Sequence, residues 1–179
     1  MIEDLKRFGK RLARDGLVKS NSGNISIRVG DKIFITTSGS MLDELDEESI
    51  VEIDPDSSKF DLKASSESLV HSKIYKKTNS SAVIHAHPTF AVVLSLLMDG
   101  PVEPMDFEGK YFFEEIPIIK SDTGSKELAE DVSTTIKKRN GLIVRGHGTF
   151  TTGKNVEEAY LRTCAIEFSC RILYHYRLS

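Results

Sequence analysis

The sequence predicts an α/β fold, a sandwich in which helices cover a largely antiparallel sheet. Three observations predict it. Residues 23–29 and 32–36 both read as strands about a Gly30-Asp31 turn, which makes an antiparallel hairpin. Helical periodicities recur between further strand-like runs. No G-x-G-x-x-G and no Walker lysine motif is present, so neither nucleotide phosphate loop is expected.

Each element follows in order. Residues 2–15 place Leu5, Phe8 and Leu12 at helical spacing among charges, and Gly16 suits a helix end. After the hairpin, residues 51–54 read as a short strand, and Pro55-Asp56-Ser57-Ser58 as a turn. A helix is predicted to start at Ser66 and run to Lys76. Residues 82–87 read as a strand closed by Pro88, and 89–97 as an apolar helix. An edge strand is expected over 115–119 and an amphipathic helix over 125–139. Residues 141–145 form a buried strand that runs into Gly146-His147-Gly148, and 149–153 a further short strand and turn. Asn155 caps a last helix ending near Tyr174.

With 179 residues and no repeat or linker, the chain is expected to form one domain over residues 1–179. A net charge of −3 gives no nucleic-acid footprint. No apolar run has the roughly 20 residues of a membrane span. The charged start, Met1-Ile2-Glu3-Asp4-Leu5-Lys6, lacks the apolar core of a secretion signal, so a cytoplasmic protein is expected. Cys164 and Cys170 are six apart in a helical stretch and should not pair.

The chemistry begins at His85-Ala86-His87. In a strand, side chains two apart share a face, so two imidazoles project together from a rigid run, Ala82-Val83-Ile84. Alone, the pair reads as metal ligands or as hydrogen-bonded surface histidines. His147 tips the balance. It ends a buried strand between two glycines, where packing residues are uncommon. Three imidazoles with one open position suit a catalytic divalent ion, Zn²⁺ first.

Glu67, in Ala64-Ser65-Ser66-Glu67, is either a metal ligand or proton-transfer base, or a plain helix-start residue favoured by the dipole. His71, four residues on, falls on the same helix face. It suits a partly buried structural role or support for Glu67. Three small-polar clusters could bind an anion without lysine: Asn21-Ser22-Gly23-Asn24, Thr36-Thr37-Ser38-Gly39-Ser40 and Ser65-Ser66. Turn chemistry alone also explains the first two.

The order Ser-Gly-Asn-Ile-Ser, Thr-Ser-Gly, Ser-Ser-Glu, His-x-His, Gly-His-Gly resembles the class II aldolase/adducin family from about residue 5 to 175. The resemblance implies a three-layer α/β/α sandwich with a central, mostly antiparallel sheet, and a homotetramer with active sites at its interfaces. It implies zinc on His85, His87 and His147, with Glu67 as ligand and catalytic acid/base. The substrate phosphate would meet Asn24, Ser38, Gly39, Ser65 and Ser66. The implied reaction is cleavage of a ketose 1-phosphate, such as L-fuculose 1-phosphate, to dihydroxyacetone phosphate and an aldehyde. Tyr111 is the candidate for the aldehyde-side proton donor, against a core aromatic role in Tyr111-Phe112-Phe113.

Other members of the same family imply other outcomes. A methylthioribulose-1-phosphate dehydratase would use an acid after the His-x-His, such as Asp106 or Glu108. A ribulose-5-phosphate 4-epimerase would tend to carry aspartate at the Glu67 position. A non-catalytic adducin-like assembly domain would lack the histidines that are present here.

Overall fold

The computed structural model describes residues 2–54, 63–122 and 124–178. Its strands are β1 (Asn24–Val29), β2 (Lys32–Thr36), β3 (Ile50–Ile53), β4 (Ala82–Ala86), β5 (Ile118–Ile119), β6 (Gly141–Val144) and β7 (Gly148–Gly153). Its helices are α1 (Ile2–Arg14), α2 (Ser68–Lys77), α3 (Thr89–Leu97), α4 (Phe107–Phe112), α5 (Lys126–Arg139) and α6 (Val156–Leu178). Among the described residues the strands form one 7-stranded sheet, in the order β3-β2-β1-β4-β7-β6-β5. All its pairings are antiparallel except that of β5 with β6.

Each face of the sheet carries a helix layer. On one face Val83, Leu142, Val144 and Phe150 meet Val70 and Ile74 of α2 and Leu128, Val132 and Ile136 of α5. On the other, Ile25, Ile27, Ile84 and Ala86 meet Leu5, Phe8 and Leu12 of α1 and Val156, Ala159 and Tyr160 of α6. A third cluster ties Ala91 and Leu94 of α3 and Phe113 to Ile166 and Cys170 of α6. The expected three-layer α/β/α sandwich is therefore the observed one. Strands β4 and β7 are buried along their whole length. Each large apolar side chain buried there contributes about 1.5–3 kcal/mol, so the sheet centre is a stiff platform.

Several elements differ from expectation. Helix α2 starts at Ser68, not Ser66. The chain is still tied to the sheet before it: Ala64 bridges Thr37, and the Ser65 N–H donates to the Thr36 carbonyl at 3.3 Å. Strand β3 begins one residue early, at Ile50. The edge strand shrinks to Ile118–Ile119 because Pro117 has no N–H to donate, and Ile116 makes only an isolated bridge to Val102. Helix α4 was not expected. Asp106 caps it, one carboxylate oxygen accepting the Gly109 N–H at 2.7 Å and the other the Ser169 hydroxyl at 2.6 Å. Asn155 caps α6 as expected, accepting the Glu158 N–H at 2.8 Å, but the helix runs past Tyr174 to Leu178. The turn expected at Pro55-Asp56-Ser57-Ser58 lies outside the described residues. Both cysteines are free thiols, Cys170 buried and Cys164 half-buried. No described helix is long and apolar enough to cross a membrane.

Candidate active site

The site is built on the last residues of β4. Asn24 of β1 lies opposite His85 on one side, and Phe150 of β7 on the other. Strand alternation sends Asn24, Ser26, Val83, His85 and Phe150 to the α2 face. The His85 ring stacks on Phe150 at 4.3 Å and 22°. Its Nδ1 lies 3.0 Å from the Thr149 carbonyl. A carbonyl only accepts, so Nδ1 carries the proton and Nε2 presents a lone pair.

His87 follows where Pro88 stops the strand. Its backbone N–H donates to the Leu17 carbonyl at 2.9 Å. His147 sits in the tight β6–β7 turn, where Gly146 adopts φ +69 and the His147 N–H donates to Val144 at 3.0 Å. Gly148 lets β7 pass beside the pair: a Cβ there would lie 2.3 Å from the Ala86 carbonyl oxygen and 2.7 Å from His87 Cδ2.

These constraints bring the three rings together. Centroid separations are 4.7 Å for His85–His87, 4.7 Å for His85–His147 and 5.1 Å for His87–His147. One nitrogen from each lies within 4.8 Å of the others. A tetrahedral zinc with N ligands at about 2.0–2.1 Å sets its nitrogens roughly 3.3 Å apart, a spacing these rings reach by small shifts. The donor set fits one cation in three further ways. The Nε2 atoms of His85 and His87 face each other at 2.8 Å. The buried His147 Nδ1 has no protein partner. Burial lowers the pKa of all three rings, that of His87 to about 4, which keeps them in the neutral, ligating form.

Glu67 lies outside this 4.8 Å group. It is the N-cap residue of α2 yet its side chain makes no capping hydrogen bond. It is 4% exposed, its Oε2 has no partner, and burial raises its pKa. The residues expected to bind an anion gather at the same sheet end. The Ser38 N–H donates to the Lys63 carbonyl at 2.8 Å, which lays the Gly39 turn against the segment carrying Ser65 and Ser66. Gly39, at φ +80, makes that turn. Ser38, Gly39 and Ser66 are exposed and Ser65 is buried, its Oγ accepting the Glu67 N–H at 3.3 Å. Buried Asn24 leaves its Oδ1 unpartnered. Tyr111 stands apart, 75% exposed on α4, with its ring against Phe112. It is thus no core aromatic.

Ser26, Tyr75, Thr149 and Phe150 escaped the sequence reading, and His71 proves more deeply placed than expected. Ser26 Oγ contacts His71 Nδ1 at 2.6 Å and Tyr75 Oη at 2.8 Å. The available signal was polar residues at both Asn24 and Ser26, on one face of an otherwise apolar strand. His71 is fully buried, and desolvation lowers its pKa from 6.5 to about 3. The unfolded chain therefore binds a proton below pH 6.5 that the fold refuses until about 3. The stability is full above this window and falls as pH drops through it, at up to about 1.4 kcal/mol per pH unit for this group. Urea melts of metal-free protein between about pH 7 and 5 should show the decline. His71→Leu should make the decline shallower but not abolish it, because burial also lowers the pKa of His85, His87 and His147; an unchanged slope would contradict a buried neutral His71.

Fold and site together define an α/β scaffold with a three-histidine cluster. The family model for the class II aldolase and adducin N-terminal domain matches residues 3–174, and the chain belongs to that family. It is 33% identical over 174 residues to the L-fuculose phosphate aldolase of Methanocaldococcus jannaschii, covering 94% of each chain. It is 32% identical to the methylthioribulose-1-phosphate dehydratase of Gluconobacter oxydans, covering 89% of this chain and 84% of that one. The crystal structure of L-fuculose-1-phosphate aldolase from Thermus thermophilus superposes with a TM-score of 0.95 at 31% identity, covering 99% of this chain and 94% of that one.

Proposed function

We propose that the protein is a zinc-dependent class II aldolase. It reversibly cleaves a ketose 1-phosphate, such as L-fuculose 1-phosphate, to dihydroxyacetone phosphate and an aldehyde such as lactaldehyde. The observation that carries this reading is the cluster of three neutral imidazoles at the stiff sheet centre. A buried, unpaired carboxyl lies on the helix covering the same face.

His85, His87 and His147 hold the ion, which when bound supplies Lewis-acid stabilisation of the charge left on carbon as the C–C bond breaks. Glu67 moves a proton between dihydroxyacetone phosphate and its enediolate. A carboxyl whose pKa burial has raised is better matched to that task near neutral pH. Asn24, Ser38, Gly39, Ser65 and Ser66 hold the phosphate, fixing the reacting carbons from a distance. Tyr111, exposed on α4, donates the aldehyde-side proton across a subunit boundary, in a homotetramer with interface active sites. The two free thiols suit the reducing cytoplasm.

Purified protein given dihydroxyacetone phosphate and a panel of small aldehydes should form ketose phosphates. A chelator should stop the reaction and zinc restore it. Activity that a chelator leaves untouched, or none with any aldehyde, would overturn the reading.

Dehydration of methylthioribulose 1-phosphate is the second reading, supported by the 32% identity to the Gluconobacter enzyme. Glu108, exposed on α4, would be its acid, because one oxygen of Asp106 caps α4 and the other accepts the Ser169 hydroxyl.

A further inference from the structure

A buried polar chain runs beneath the site. Tyr75 Oη, Ser26 Oγ and His71 Nδ1 are linked at 2.8 and 2.6 Å. One direction of donation uses both hydroxyl protons: Tyr75 donates to Ser26, and Ser26 donates to His71 Nδ1. The opposite direction would leave the Tyr75 proton without an acceptor in a buried place, which costs about 1–3 kcal/mol. Nδ1 is therefore the acceptor, and the ring proton sits on Nε2.

That Nε2–H is buried without a partner, and so is Oε2 of Glu67. The two residues stack on successive turns, the His71 N–H donating to the Glu67 carbonyl at 3.1 Å. Side chains four apart at the start of a helix share a face. An unmatched donor and an unmatched acceptor are thus buried together, each the natural complement of the other. The His71 ring also stands edge-on to Phe150 at 6.1 Å, on which His85 stacks, so neighbouring rings limit how far it can turn.

We propose that His71 is a positioning residue for Glu67: its Nε2–H, held in that tautomer by Ser26 and Tyr75, reaches Oε2 across one bridging water. This turns the other carboxylate oxygen towards the substrate. The inference rests on Glu67 as the proton-transfer group. It adds a fixed donor behind that group, on the side away from the reaction.

The test follows exchange of the carbon-bound proton of dihydroxyacetone phosphate into deuterated water, which needs no aldehyde. His71→Leu should lower the exchange rate constant about 10–100-fold, the usual cost of removing an outer support, with KM and bound zinc unchanged. His71→Gln, which restores an N–H donor, should recover most of the rate, and Ser26→Ala should show an intermediate loss. Nitrogen-15 NMR of the wild-type side chain should show the Nε2–H tautomer, with a proton shift that moves in Glu67→Leu. An Nδ1–H tautomer, a shift indifferent to Glu67, or full exchange in a folded His71→Leu would overturn the proposal. If His71→Leu fails to fold, Ser26→Ala and the NMR spectrum decide. Absence of exchange in the wild type would count against the aldolase reading, and the NMR result would still decide this one.

Discussion

Glu67→Gln is expected to slow proton exchange on dihydroxyacetone phosphate by about 10²–10⁴-fold, with zinc content near that of the wild type. Glutamine fills the same buried space and keeps an acceptor oxygen for a neighbouring donor, but it cannot take up a proton. The three imidazoles are expected to keep the ion without the carboxylate, since they form the group within 4.8 Å by themselves. Measuring exchange and metal content on the same sample separates the two roles. Turnover within a few-fold of wild type would move the proton transfer away from Glu67, and dehydration with Glu108 would then become the better reading.

His147→Ala is expected to abolish tight metal binding and with it the aldol reaction, while the fold survives. His147 is only half-buried and sits in a turn, so its loss opens no core cavity. His85 would be a poorer choice, because its ring packs between Phe150 and the Thr149 carbonyl. With two imidazoles left, affinity should fall by more than the roughly 10–100-fold seen when only an outer-shell partner is removed. Metal analysis after gel filtration should find less than about a tenth of an equivalent. Far-ultraviolet circular dichroism should be unchanged. Retained stoichiometric metal would mean that the ion sits elsewhere.

Much of this was legible in the sequence because it rests on local rules. Period-two alternation sent His85 and His87 to one face, and flanking glycines marked His147 as a turn residue beside a strand. The hairpin, the buried strands and most helices followed the same logic. What was not legible depends on distant partners. Helix α4 forms because Asp106 finds both the Gly109 N–H and Ser169 on α6, and only the first lies nearby in the chain. The start of α2 slipped to Ser68 because Ala64 and Ser65 are held by β2 and the loop after it, a pairing that no local pattern announces. The chain of Tyr75, Ser26 and His71 was hidden for the same reason: a strand and a helix far apart in sequence supply it.

The row Asn24–His85–Phe150 has a bearing on how the protein folds. Its members come from the early, middle and late parts of the chain, and they meet only when β1, β4 and β7 are all in register. Such non-local pairing is slow to assemble, because loop closure precedes the contacts that reward it. The third proposed ligand, His147, adds the β6–β7 turn to that requirement. If zinc binds as proposed, nascent or partly folded chains would have no complete ion site, and the ion would select the finished sheet. At a free metal concentration about a thousand times the dissociation constant, that selection adds roughly 4 kcal/mol to the native state. Metal supply would then set how long each molecule lasts as well as how fast it works.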